Sequence, residues 1–191
     1  VTVGDMDSIK KCVLDNIEEL RGKYICVSNV HTTVTAYENR NYRRVQNGAA
    51  MVFPDGGPLS IVCRLRGYKN ASRVTGPDFM GEIFKEKGVR QFFYGSTPET
   101  LDKLRGILEK EHPDIQICGM YSPPFRTLSH EEDEEIVDMI NAAKPDIVWI
   151  GLGAPKQENW MAKHEGRINA VMVGVGAGFD YFAGNIKRAP M

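Results

Sequence analysis

Two short stretches of this sequence combine residue types that chemistry needs with a spacing that makes them usable. The first is Phe53-Pro54-Asp55-Gly56-Gly57, where an apolar run stops at a proline and a carboxylate stands in a glycine-rich turn. Glycine raises no side-chain wall beside such an acid, so Asp55 can face a cleft and accept a proton as a general base. An ordinary turn aspartate fits the same position. The second is Gly151-Leu152-Gly153-Ala154-Pro155-Lys156-Gln157-Glu158, which joins an apolar run to an amphipathic one. A strand passing into a helix start presents unpaired N–H groups and the positive end of the helix dipole to a phosphate. Gly151 and Gly153 allow a ligand close to the backbone, Lys156 adds charge for a diphosphate, and Gln157 offers a donor and an acceptor to a sugar or base. A plain strand-to-helix turn with a surface Lys and Gln is the bland alternative.

Other clusters carry less. Gly174-Val175-Gly176-Ala177-Gly178 invites a nicotinamide reading, but its spacing is Gly-x-Gly-x-Gly, and no ribose-binding acid about 20 residues further on can follow. Asp5-Met6-Asp7 precedes the first helix and reads as capping, and the acidic run Glu131 to Glu135 reads as a solvated helix start behind the Ser129/Glu132 capping box. His31, His112, His130 and His164 have no paired ligand spacing, so no metal site is expected.

The elements that must position these residues alternate from end to end. Apolar runs at Tyr24 to Ser28, Ala50 to Phe53, Gln91 to Tyr94, Ile115 to Gly119, Ile147 to Ile150 and Ala170 to Val173 read as strands. Between them the pattern predicts helices: one capped at Asp7 or Ser8 and stopping at Gly22, one over Thr33 to Gln46, and one over Leu59 to Leu65. Further helices are expected from Pro77 to Gly88, from Thr97-Pro98-Glu99 to Glu111, from the Ser129 cap onward, and from Pro155 to His164. The rhythm is that of an α/β protein: a single Rossmann-like domain over residues 1–191, with a mostly parallel central sheet and helices on both faces. Ligands of such sheets bind at the carboxyl ends of the strands, where Asn29, Asp55, Gly151 to Glu158 and Gly174 to Asp180 all fall.

Composition narrows the class. With 42% hydrophobic and 26% charged residues the chain has the proportions of a globular protein, and its net charge of −1 gives no pull on a polyanion, so nucleic acid is not an expected partner. Cys12, Cys26, Cys63 and Cys118 are widely spaced in apolar stretches, which suggests reduced thiols and a cytoplasmic location. No apolar run reaches the roughly 18–20 residues of a spanning helix, so membrane contact is expected to be peripheral.

Taken together, Asn29-Val30-His31-Thr32, Phe53-Pro54-Asp55-Gly56, Arg73-Val74-Thr75-Gly76-Pro77-Asp78, Gly151 to Glu158 and Gly174-Val175-Gly176 resemble the WecG/TagA/CpsF glycosyltransferase family in order and spacing over nearly the whole chain. The resemblance implies an inverting, metal-independent transferase of bacterial surface-polysaccharide or teichoic-acid synthesis, with a UDP-sugar as substrate and no cofactor. It implies a polyprenyl-diphosphate-linked sugar acceptor at the inner face of the membrane, and members differ in donor sugar, among them N-acetylmannosamine. On matching positions, Asp55 would be the base, Asn29 and Arg73 would line the sugar and phosphate pocket, Gln157 would hold the nucleotide-sugar, and Asp180 would contact the nucleotide.

Two departures stand out. Many members have Thr-x-Asn where this chain has Val27-Ser28-Asn29, which leaves a hydroxyl near the sugar missing or displaced to Ser28. The chain also stops at Arg188-Ala189-Pro190-Met191, where members continue into a basic, aromatic tail; that tail is the expected route to the membrane, and self-association is an open expectation. The competing readings are a nucleotide-sugar or nicotinamide-dependent oxidoreductase, and a nucleotide-binding domain that has lost catalysis.

Overall fold

The computed structural model describes residues 1–187, so the expectation attached to Arg188 through Met191 lies outside the described residues. Helices α1 (Met6–Asp15) and α2 (Ile17–Leu20) lead into strand β1 (Tyr24–Ser28), and α3 (Val30–Glu38) and α4 (Arg40–Gly48) into β2 (Met51–Pro54). Helices α5 (Gly57–Leu65) and α6 (Gly76–Ile83) precede β3 (Arg90–Gly95), and α7 (Pro98–Glu111) precedes β4 (Gln116–Tyr121). Then come α8 (His130–Ala142), β5 (Ile147–Gly151), α9 (Lys156–Lys163), β6 (Val171–Gly174) and α10 (Gly178–Phe182).

The six strands form one sheet in the order β2-β1-β6-β5-β3-β4, and every adjacent pair is parallel. The period-2 pleat sends alternate residues to opposite faces, and both faces are buried. Ile25, Val27, Phe93, Trp149 and Val173 pack under α1, α6, α7 and α10, while Tyr24, Cys26, Phe92, Tyr94 and Val148 pack under α8 and α9. Burying each such side chain contributes about 1.5–3 kcal/mol, so strands this apolar are held in a fixed register.

Three helices end earlier than the periodicity suggests: α6 stops at Ile83 rather than Gly88, and the other two break for a shared reason. Thr33 to Gln46 reads as one helix but is two, because the Asn39 side chain accepts from Asn41 N–H and Tyr42 N–H and so starts α4 where α3 has stopped. Asn16 likewise divides the first helix into α1 and α2, with its Nδ2 donating to the Cys12 carbonyl. In both places a short amide side chain satisfies backbone groups that an unbroken helix would use itself. The first cap is Asp5 rather than Asp7 or Ser8.

Candidate functional site

The carboxyl ends of β1, β2 and β6 open into a cleft of about 350 Å³. Asp55 reaches it because Pro54 pairs with Ser28 across the two strand ends and the Asp55 N–H donates to the Ser28 carbonyl at 2.7 Å. Gly56 then turns with φ +109°, a left-handed conformation that a side chain would strain. Among the described residues Asp55 is the only carboxylate lining the cleft.

Arg73 is brought to Asp55 by the backbone: Val74 N–H donates to the Pro54 carbonyl at 2.9 Å, which lays the 73–75 segment along the end of β2. The Arg73 Nε lies 3.9 Å from Asp55 Oδ1, with the arginine side chain 46% exposed. Burial raises the Asp55 carboxyl above the ordinary aspartate value; the Arg73 charge opposes this and Asp78 adds to it. A base with a raised pKa holds a proton more readily once it has taken it.

Asn29 lines the same cleft and caps α3 in a capping box, its Oδ1 accepting from Thr32 N–H at 3.0 Å while Thr32 Oγ1 accepts from Asn29 N–H at 2.9 Å. Ser28 is buried, with its hydroxyl 3.0 Å from that of Thr32, and it is Thr32 that lines the cleft. Of the two hydroxyl residues, Thr32 is thus the one that borders the cleft, where the sequence pointed only to Ser28. Its signal in the sequence is the Asn-x-x-Thr spacing of a capping box, read there only as part of a longer motif.

Gln157 is 3% exposed and lines the cleft from the opposite side. Its Oε1 accepts from Gly176 N–H at 3.0 Å, and its Nε2 donates to Glu158 Oε1 at 2.9 Å. The two bonds fix which way the amide faces. Gly174 makes the space, since a Cβ there would stand 3.0 Å from Gln157 Nε2. Gly76 closes the wall by the same means, a Cβ there meeting the Val175 backbone at 3.0 Å.

The structure separates several expected residues from the cleft. Glu158, the last residue of the stretch expected to bind substrate, is 0% exposed and is joined to the cleft by its bond with Gln157. Burial pushes its carboxyl up, against hydrogen bonds from Gln157 and Tyr42. Lys156 is exposed and lines a different cavity, of about 410 Å³, with Tyr94, Phe125 and Trp160. Both corrections come from the face of α9 that packs on the sheet, which carries Gln157, Glu158 and Met161 and turns Lys156 outward. Gly153 lines the cleft; Asp180 and Gly151 line a neighbouring hollow of about 380 Å³ that shares Gly153, Gly176 and Ala177 with it. Asp180 Oδ1 there accepts from Asn185 Nδ2 at 3.0 Å.

Pro155 is the N-cap of α9 and makes no side-chain cap bond, and in the first turn the Gln157 N–H already donates to the Gly153 carbonyl at 2.9 Å. The glycines after β6 lead into the five-residue α10, not a long helix, which takes support from the nicotinamide reading. No group of three His, Cys, Asp or Glu among the described residues is arranged to hold a metal ion. No described helix is long and apolar enough to cross a membrane.

Comparison with known proteins fits this geometry. The model of the glycosyl transferase WecG/TagA/CpsF family matches residues 1–191. The chain is 32% identical over 178 residues to the N-acetylglucosaminyldiphosphoundecaprenol N-acetyl-beta-D-mannosaminyltransferase of Bacillus spizizenii, covering 91% of this chain and 67% of that protein. It is 31% identical over 181 residues to the protein of the same name from Bacillus subtilis, covering 91% and 68%. With the one from Staphylococcus aureus it shares 32% over 172 residues, covering 87% and 65%.

Proposed function

The chain belongs to the WecG/TagA/CpsF glycosyltransferase family, and from that premise we propose that it moves N-acetylmannosamine from UDP to a polyprenyl-diphosphate-linked N-acetylglucosamine, with inversion. The names of the relatives supply the sugar and acceptor. The observation that carries the mechanism is the single carboxylate in the cleft, Asp55.

In this reading Asp55 takes the proton from the acceptor hydroxyl as that oxygen bonds to the anomeric carbon, while the bond from that carbon to the UDP oxygen breaks on the opposite face. One base is enough for such a single displacement, and no carboxylate nucleophile is required. Asn29 and Thr32 face the sugar, and the amide of Gln157, held by Gly176 and Glu158, offers a fixed hydrogen bond. The open start of α9 and the Arg73 guanidinium stabilise the leaving diphosphate, so metal independence is part of the proposal. Asp180, beside the cleft, is assigned to the nucleoside. With a membrane-borne acceptor the protein works peripherally, at the face of the bilayer.

The test is to supply UDP-N-acetylmannosamine and a short-chain lipid-diphosphate N-acetylglucosamine, follow UDP release, and read the anomeric configuration of the product by NMR. An inverted product formed in the presence of chelator is expected. Retention would remove Asp55 as the base of a single displacement, and an absolute requirement for manganese would end the metal-free part. UDP and NAD titrations separate this reading from the oxidoreductase one, and UDP binding without transfer would mark a lapsed domain.

A further inference from the structure

Large apolar side chains stand exposed on two helices that leave neighbouring strand ends. On α3, Val30, Val34 and Tyr37 share one face and are 50%, 47% and 81% exposed. Helix α5 buries only Ser60, and Ile61, Val62 and Leu65 stand out from it at 49%, 48% and 82% exposure. Because Ser28 lies opposite Pro54, both helices begin at the rim that carries Asp55. Scattered apolar residues on a surface need no explanation, but a concentration of them beside a cleft does.

Charge distinguishes the same region. Residues 39–77 hold seven cations and one acid, Asp55, a balance of +6 in a chain whose net charge is −1, so the remainder carries −7. Arg40, Arg43 and Arg44 on α4, with Arg64, Arg66 and Lys69 on and after α5, are all exposed. Among the described residues only Arg73 of the seven meets a carboxylate.

We propose that this face seats the protein on an anionic lipid bilayer. Apolar side chains enter the boundary between headgroups and acyl chains while the arginines lie against lipid phosphates. The mouth of the cleft then meets the surface where a lipid-linked acceptor is held, so its sugar reaches Asp55 while its lipid stays in the bilayer. Only this last point rests on the transferase reading. A second copy of the chain is a poorer occupant, since the exposed cations of α4 and α5 on one copy would face the same cations on the other.

The 191-residue chain is mixed with vesicles of phosphatidylcholine alone and of phosphatidylcholine with phosphatidylglycerol, and sedimented. Binding to the second, weakened by salt, is expected, with little to the first. Each basic residue near an anionic surface is worth about fivefold, so R64Q/R66Q lowers the partition coefficient about 30-fold. I61S/L65S lowers it too, and both variants keep the parent's melting transition. Equal binding to both vesicles, or variants that bind like the parent, overturns the proposal. So does a concentration-dependent dimer lost in I61S/L65S without vesicle binding. Transfer to a water-soluble acceptor analogue separates the two readings: its absence beside intact vesicle binding sinks the transferase reading alone, and the converse sinks the bilayer face alone.

Discussion

Asp55, just past the end of β2, and Asp133, within α8, show what surroundings do to one side chain. Asp133, on α8, is 4% exposed, and its carboxylate accepts from Lys163 Nζ at 3.0 Å and Arg167 at 3.1 Å, with His164 Nε2 3.1 Å away. Burial pushes this carboxyl up, yet the hydrogen bonds from Lys163 and Arg167 outweigh it and leave the pKa below the ordinary value. Asp55 has one cation, at 3.9 Å, and its pKa is raised. A carboxylate whose oxygens are filled by donors is a structural anion tying α8 to α9. One left short of donors, in a cleft, has a lone pair to use on a substrate.

The largest effect that can break this contrast is on turnover. Asp55→Asn should lower it by about 10²–10⁴-fold with UDP affinity nearly unchanged, because general-base assistance is lost while the nucleotide is held elsewhere. Near-normal turnover in single-turnover kinetics would make the two aspartates alike. Asp133→Asn should leave turnover per folded molecule intact and cost about 2–3 kcal/mol of stability, less than a fully enclosed pair because Lys163 is 64% exposed. An unmoved urea midpoint would remove Asp133 as a tie.

Glu158→Gln tests the supporting shell of the cleft. The amide replaces the carboxylate that holds Gln157 Nε2, so kcat/KM for the donor should fall on the order of tenfold, the worth of one misdirected hydrogen bond, with stability near the parent's. A change in stability with normal kinetics would make Glu158 a packing residue only.

The smallest effect sharpens the comparison by pH. The acid limb of kcat/KM should lie above the ordinary aspartate value of about 3.9, since the Asp55 pKa is raised. Stability contributed by Asp133 is fully present above its unfolded value and lost only as pH falls through its depressed folded value. Activity should therefore fall before the fold does, and coincident loss by activity and circular dichroism would contradict it. Arg73→Gln should move the acid limb further up, because the Arg73 charge now lowers the Asp55 pKa.

Much of the framework was legible because a buried parallel strand writes itself plainly: all six apolar runs are strands, and their ends carry the cleft. Thr97 and Ser129 as caps were readable from residue type and spacing, Thr97 before Pro98 and Ser129 three residues before Glu132. Asn39 was not, because an amide inside an apolar periodicity competes with the helix by a side-chain bond that the period does not register. At the site, Asp55, Asn29, Gln157 and Gly153 line one cleft as expected. Lys156 and Glu158 show what a motif hides: adjacent letters point to different sides of a helix, and only the packing of α9 says which. Thr32 was hidden in turn because a motif read as Asn29-Val30-His31-Thr32 does not say which of its side chains borders the cleft.

The close contact of Gly76 with the Val175 backbone bears on how such a cleft can be re-engineered. A single methyl at Gly76 would have to displace main chain, whereas Val27 and Thr32 present side chains to the same space. The wall at Gly76 thus resists one-step substitution. Combinatorial libraries aimed at a new donor sugar gain little there, because diversity spent at Gly76 would return misassembled clefts in place of altered preferences.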